Sequence, residues 1–351
     1  MKLHAETKNK RALPLIDVSS GSIVMAIGIF LIGAIQQFSF LNQHLSTVLT
    51  FSLLCFWFML VLTFFLSVWR EAYRQYLTKH PITFFGVGTW IASTSVIGNL
   101  FVLRFPSSLL AIKGLLILNL VLWSFFIVFC MKQLKTIIKN GHIFETHGAI
   151  LLSTVSTQSI AILMINTDSP FSHTSLIDGF ILIGIMFYII SIILLIMRFS
   201  KKFRNIHEWK NTDCIIHGAV SITGLSMTLS GHFSSFSLSM IWYAAFSLFV
   251  FVEFIEVIRG VKRIKDYGLK KGIFTYHVSQ WSRNFTFGMF YLFTLRLLEN
   301  YSTENTLLFQ KLVLYPLGWI VLLLLLIQIS IFSYSAFLMK EIQTLAKHST
   351  T

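Results

Sequence analysis

Residues 176–197 read LIDGFILIGIMFYIISIILLIM, with one charged side chain, Asp178, two residues from the start. The hydrocarbon core of a bilayer is about 30 Å thick and is crossed by roughly 20 apolar residues in a helix. A run this long, followed at once by Arg198, Lys201 and Lys202, predicts a helix that crosses a membrane. The rest of the chain repeats the pattern. Apolar stretches at 21–40, 46–69, 82–103, 109–131, 148–165, 214–231, 236–258, 284–298 and 312–338 bring the expected number of spans to ten. The runs are continuous rather than alternating, which favours helices over a barrel. The fold class expected is all-α integral membrane. A tail 1–20, a ten-helix membrane domain 21–339 and a tail 340–351 complete the layout. The first span lacks a small-residue cleavage site and is expected to be a retained helix.

Composition agrees. Of 351 residues, 55% are hydrophobic and 12% charged, and the mean hydropathy is +0.74. A soluble domain carries about 25% charged residues, so a soluble enzyme is excluded. The net charge of +14 would suggest nucleic acid in a soluble protein. Here its distribution explains it, and no nucleic-acid partner is expected. With the N-terminus inside, 24 of the 28 Lys and Arg residues fall on inside segments. They are Lys2, Lys8, Lys10, Arg11, Arg70, Arg74, Lys79, Lys132, Lys135, Lys139, Arg198, Lys201, Lys202, Arg204, Lys210, Arg259, Lys262, Arg263, Lys265, Lys270, Lys271, Arg283, Lys340 and Lys347. Only Arg104, Lys113, Arg296 and Lys311 fall outside. This asymmetry predicts both termini in the cytoplasm of a plasma-membrane protein.

The chain then divides into five hairpins. Gly28, Gly88, Gly148, Gly218 and Gly288 sit near the inner part of each odd span, a weak sign of a fivefold repeat. Odd spans are rich in hydroxyls, such as Thr89, Ser93, Thr94 and Ser95, then Ser153, Thr154, Ser156, Thr157, Gln158 and Ser159, then Ser221, Thr223, Ser226 and Thr228. Even spans are mostly Leu, Ile, Phe and Val. Hydroxyls serve helix packing, or they ring a narrow path. Such a path has no carboxylate ring and opens beside an excess of cations, which favours anions.

Other chemistry is sparse. Cys55, Cys130 and Cys214 read as packing residues. His142, Glu145 and His147 lack metal-site spacing, and neither metal nor cofactor is expected. No phosphate-binding glycine loop appears, and no catalytic constellation lies at membrane depth, so an enzyme is not expected. His217 reads as a hydrogen-bonded interhelical histidine. Glu253 and Glu256 read as partners of the basic loop that follows, or as proton-coupling groups.

Five stretches on the odd spans resemble the tellurite-resistance/dicarboxylate transporter family, which includes the plant slow anion channels. They are SIVMAIGI (22–29), HPITFFGVGT (80–89), VSTQSIAIL (155–163), HGAVSITGLS (217–226) and WSRNFTFGMF (281–290). The resemblance covers residues 20 to about 340. It implies ten helices as five hairpins around a quasi-fivefold central pore, a homotrimer in membrane lipid, and passage of small inorganic or organic anions. It also implies a phenylalanine gate on the ninth helix, which falls on Phe285, with Phe287 as competitor. Pore-lining candidates are Met25, Gly28, Phe85, Gly88, Thr89, Thr157, Gln158, His217, Gly218, Ser221 and Gly288. Thr286 stands where the family pattern has proline. Two functions are expected: an anion channel, or a proton-coupled transporter of dicarboxylate or sulfite-type anions using Glu253, Glu256 or His217. Tellurite resistance itself does not follow.

Overall fold

The computed structural model describes residues 16–167, 174–202, 205–301 and 308–348. Lys2, Lys8, Lys10, Arg11 and Arg204 lie outside them, as do the side chains of Lys201, Lys202, Lys340 and Lys347. Among the described residues there is no strand. Eleven α-helices occur there: α1 (Gly21–Ile32), α2 (Ser46–Val68), α3 (Glu71–Lys79), α4 (Gly88–Arg104), α5 (Leu109–Lys139), α6 (Leu152–Asn166), α7 (Thr174–Lys202), α8 (Ile215–Ser230), α9 (Ser235–Ile273), α10 (Trp281–Tyr301) and α11 (Leu308–His348).

Seven helical stretches are long and apolar enough to cross a membrane: Leu41–Val68, Thr83–Arg104, Leu109–Lys139, Gly148–Asn166, Thr174–Ser200, Ser235–Ile273 and Leu308–Phe337. The other three expected spans differ. α1 has 12 residues, extended by a 3-10 turn to Gln37. α8 has 16 residues, many of them hydroxylated. α10 has 21 but carries Arg283 and Arg296. All three pack inside the bundle, where neighbouring helices cover most of their side chains.

The packing sorts the helices into two layers. Only 11% of the apolar window of α2 and 17% of that of α9 is buried, against 94% for α6. The rim helices α2, α5, α7, α9 and α11 present Phe58, Phe125, Ile196, Phe254 and Leu323, each more than half exposed. A surface that apolar fits hydrocarbon, not water. The core helices α1, α4, α6, α8 and α10 touch in a closed cycle: α1 on α4, α4 on α6, α6 on α8, α8 on α10, and α10 back on α1.

The five spaced glycines make that cycle possible. A methyl group at Gly28 would meet Val96 Cγ1 of α4 at 2.2 Å. One at Gly88 would meet the Leu152 carbonyl of α6 at 2.9 Å, and one at Gly148 the Thr212 carbonyl ahead of α8 at 1.9 Å. Gly218 faces Thr286 of α10 at 2.2 Å, and Gly288 faces Ile29 of α1 at 2.6 Å. Each glycine therefore admits the next core segment in the same direction around the cycle.

Polar side chains pin rim to core. Asn119 of α5 donates to Ser95 Oγ of α4 at 2.8 Å. Trp123 of α5 donates to Thr157 of α6 at 3.0 Å. Trp242 of α9 donates to Thr294 of α10 at 2.9 Å, and Gln37 donates to the Tyr315 carbonyl of α11 at 2.9 Å. In an apolar setting each such bond fixes register, because the unpaired alternative is costly.

Two segments depart from the sequence expectation. α3 is an extra short helix where only a connection was expected, and it docks Tyr73 and Leu77 on Val18 and Phe64. α9 runs past residue 258 to Ile273, interrupted at Gly268, whose φ of 75° reverses the chain. Gly272 then lies against the Arg263 carbonyl, where a Cβ would sit at 2.9 Å. α11 likewise continues through the expected tail to His348.

Candidate functional site: an axial cavity and its vestibule

A cavity of about 250 Å³ lies inside the ring of core helices, toward their C-terminal ends. All five contribute to its wall, each through one helical stripe: Ile29 and Ile32 from α1, Ser95 and Asn99 from α4, Ser159, Ile162 and Asn166 from α6, Ile222, Leu225 and Leu229 from α8, and Phe285, Met289, Leu292 and Arg296 from α10. These are spacings of three and four residues, the neighbours on one helix face. Phe285 and Ala92 are the wall residues nearest the helix N-termini, so Phe285 stands at the floor. Among the described residues no carboxylate is in the wall. The polar groups there are hydroxyls, two amides and one guanidinium. Asn166 donates to Asn99 Oδ1 at 2.7 Å, tying α6 to α4 across the wall. Arg296, the wall's one cation, pairs with Glu299 at 2.6 Å.

A second cavity, about 350 Å³, opens at the opposite end of the ring. The segments leading into all five core helices line it, including Ser19, Gly86, Ala149, Thr212 and Ser279. Lys210, Arg259, His147, His207 and His277 face it, against one carboxylate, Asp17. Short 3-10 turns precede four of the core helices, and histidine side chains cap two of them. The Ala149 N–H reaches His147 Nδ1 at 3.4 Å, and the Ser279 N–H reaches His277 Nδ1 at 3.2 Å.

Beneath this vestibule sits a buried ion pair. Arg198 at the end of α7 donates to both oxygens of Asp213 at 3.1 Å. Asp213 also accepts from the Gly148 N–H at 2.7 Å and the Lys210 N–H at 2.8 Å. Burial pushes its carboxyl up, against the pull of Arg198 and both N–H groups.

His147 is the titratable neighbour. Burial, with Arg198 and Lys210 nearby, lowers it to about 4. Its Nδ1 lies 2.8 Å from the Thr212 hydroxyl, an acceptor role that protonation would end. The unfolded chain thus binds a proton, near pH 6.5, that the folded chain refuses until about pH 4. Stability is therefore expected to fall as pH drops through that window. His147 is partly exposed, and water screens the effect to about 1 kcal/mol at pH 5. Thermal unfolding at pH 7.5 and 5.0 measures it. His147→Gln should flatten this part of the profile, and an unchanged slope would assign the loss to other groups.

The placement of the sequence candidates is informative. Phe285 lines the axial cavity. Phe287 points elsewhere, with its ring 6.3 Å from His217 and 4.8 Å from Phe249. Met25, Gly28, Phe85, Gly88, Thr89, Thr157, Gln158, His217, Gly218, Ser221 and Gly288 are not in the wall of this cavity. Gln158 bridges α6 to the Ile181 carbonyl at 3.1 Å and to Ser226 at 2.8 Å. Thr157, Gly28, Gly218 and Gly288 serve helix contacts already described, and Ser221 bonds the His217 carbonyl at 2.8 Å. The hydrogen-bonded reading of His217 is corrected. The ring is buried, neither nitrogen has a hydrogen-bond partner among the described residues, and it packs edge-to-face with Phe249 and Phe287. Glu253 pairs with Arg283, and Glu256 with Arg259 at 3.0 Å, both away from the cavity wall. Asp178 meets His232 at 3.3 Å, and His142 meets Glu145 at 3.1 Å.

No protein-family model matches the chain, and no curated protein matches it.

Of the polar wall residues, Ser95 and Ser159 were among the odd-span hydroxyls offered as ringing a path, whereas Asn99, Asn166 and Arg296 were not among the sequence candidates. Their signal was available as a stripe, Ser159 to Ile162 to Asn166 and Phe285 to Met289 to Leu292 to Arg296. It was masked because α4, α6 and α8 carry hydroxyls on every face, most bonded to a carbonyl one turn back, as Thr157 is to Ser153 at 2.7 Å.

Proposed function

We propose that the chain is an integral membrane channel for small anions, with ten spans arranged as five hairpins around a quasi-fivefold axial pore and Phe285 as its gate. One observation carries this reading: a cavity and an opposed vestibule are both walled by all five core segments, with a phenylalanine at the cavity floor. The chemistry of the walls supports anions. The cavity has donors without carboxylates, and the vestibule has more cationic than anionic groups. A cation shedding its water would find little compensation there, while an anion is drawn in by the local field. The polybasic side is the cytoplasmic one under the positive-inside rule. The homotrimer, the plasma membrane and the family kinship belong to the same proposal.

The proton-coupled alternative needs a titratable group on the path. Its candidates, Glu253, Glu256 and His217, all sit outside the cavity wall, and the titratable groups that do face the path, Asp17, His147, His207 and His277, line its vestibule rather than the wall around Phe285, so the channel is preferred. Reconstitution in liposomes distinguishes the two. Current is measured against voltage under an anion gradient, with and without a pH gradient. For a channel, the reversal potential follows the anion gradient alone. A reversal potential displaced by the proton gradient would sink the channel reading.

A further inference from the structure

A pocket of about 310 Å³ lies between α9, α10 and α11 at the polybasic end of the bundle, beside the vestibule, with which it shares Asn211 and Arg259. Three guanidiniums, those of Arg259, Arg263 and Arg283, line it against one carboxylate, Glu256. Arg259 is held by Glu256, and Arg283 by Glu253. Arg263 has no ion pair among the described residues. The reversal of α9 at Gly268 folds the chain back against this residue's carbonyl, which walls the pocket on one side.

Buried polar atoms in the same wall also lack partners. Gln328 of α11 is 6% exposed and Asn284 of α10 is 7% exposed. Among the described residues neither Gln328 Nε2 nor Arg283 Nε has an acceptor, and Asn284 Oδ1 has no donor. Donors stranded at this depth are costly unless something accepts from them. The rest of the wall is apolar, contributed by Leu324 and Ile327 of α11 and Ile273. Both Ile327 and Ile273 are exposed to the rim. A guanidinium-rich recess floored by aliphatic side chains, open between helices, matches a phosphate joined to acyl chains better than a free ion. Around it, Lys262, Lys265, Lys270 and Lys271 supply the basic surroundings that attract an anionic leaflet.

We propose that this pocket holds the phosphate headgroup of an anionic phospholipid, paired with Arg263 and hydrogen-bonded by Gln328. The site requires the membrane setting but not the channel activity, so it stands or falls separately.

The test is a binding titration on the full-length protein in detergent, read by native mass spectrometry. The probes are phosphatidylglycerol, phosphatidylcholine and inorganic phosphate. Phosphatidylglycerol should bind saturably and phosphatidylcholine should bind markedly more weakly. Arg263→Gln should weaken phosphatidylglycerol about fivefold, the usual effect of one basic residue at an anionic surface. Gln328→Leu, which removes the donor and keeps the volume, should weaken it as well. Lys311→Gln, at the far end, should not. Equal binding of both lipids would overturn the proposal, as would variants that bind like the parent. Displacement of phosphatidylglycerol by millimolar phosphate would overturn it too, by identifying a free-anion site instead.

Discussion

Replacing Gly148 by alanine is expected to abolish the folded state, or to lower its stability by about 4 kcal/mol, near the top of the range for single substitutions. The added methyl would lie 1.9 Å from the Thr212 carbonyl oxygen and 2.8 Å from the Asp213 Cα. Both neighbours are backbone, so no rotamer change relieves the overlap. The backbone is itself fixed, because the Gly148 N–H is held by Asp213, and Asp213 is held by Arg198. Moving Thr212 away breaks a buried ion-pair network, and leaving an uncompensated charge there is strongly destabilising. Moving α6 away breaks the ring. By contrast, Gly114→Ala should be neutral or slightly stabilising, since nothing lies within 4 Å and alanine is the better helix former. Yield and thermal unfolding of the two variants in detergent make the comparison. A stable Gly148→Ala protein with parental unfolding would show that α6 and α8 are not in close contact at their N-terminal ends.

The same five glycines show how far the sequence could be read. Their recurrence, one near the inner part of each odd span, was visible, and so was the alternation of oily and hydroxylated spans that became rim and core. The purpose of that recurrence was not. A glycine that admits a neighbouring helix looks, in one dimension, like one that lines a path. Only the packing distinguishes Gly218 against Thr286 from a residue open to the axis. Polarity misled in a similar way. Thr157 and Gln158 drew attention as polar groups in an apolar span, yet they bind Trp123, Ile181 and Ser226 between helices. Arg296 was counted only as an outside cation, although its place one stripe along from Phe285 puts it in the cavity wall. The vestibule was hidden for a different reason. His147, His207, Lys210 and His277 lie up to 130 residues apart in sequence, and only ring closure brings their loops together.

Phe285→Ala is expected to raise single-channel anion conductance several-fold, while Phe287→Ala leaves it unchanged. Phe285 is 2% exposed and shares the cavity wall with Ala92, Ile29 and Ile222. An apolar constriction of this kind blocks ions by excluding water, so its barrier depends on the bulk and apolarity of the ring. Removing the ring joins the cavity to the space toward the vestibule and lets water follow. A phenylalanine ring moves between discrete rotamers about its first torsion, so a gate built on it would open without helix displacement. Phe285→Leu should then give an intermediate conductance, because it keeps part of the apolar volume. Phe287 supplies the control on the same helix. Its ring packs edge-on to Phe249 and His217, with the Arg283 guanidinium 5.7 Å from its centroid. Loss of those contacts costs stability, about 3 kcal/mol for a buried Phe→Ala, and opens space between α8, α9 and α10 rather than on the axis. Planar-bilayer recordings under symmetric chloride measure both variants. Parental conductance in Phe285→Ala, or an equal rise in Phe287→Ala, would remove Phe285 from the gate and leave the axial cavity without a known closing element.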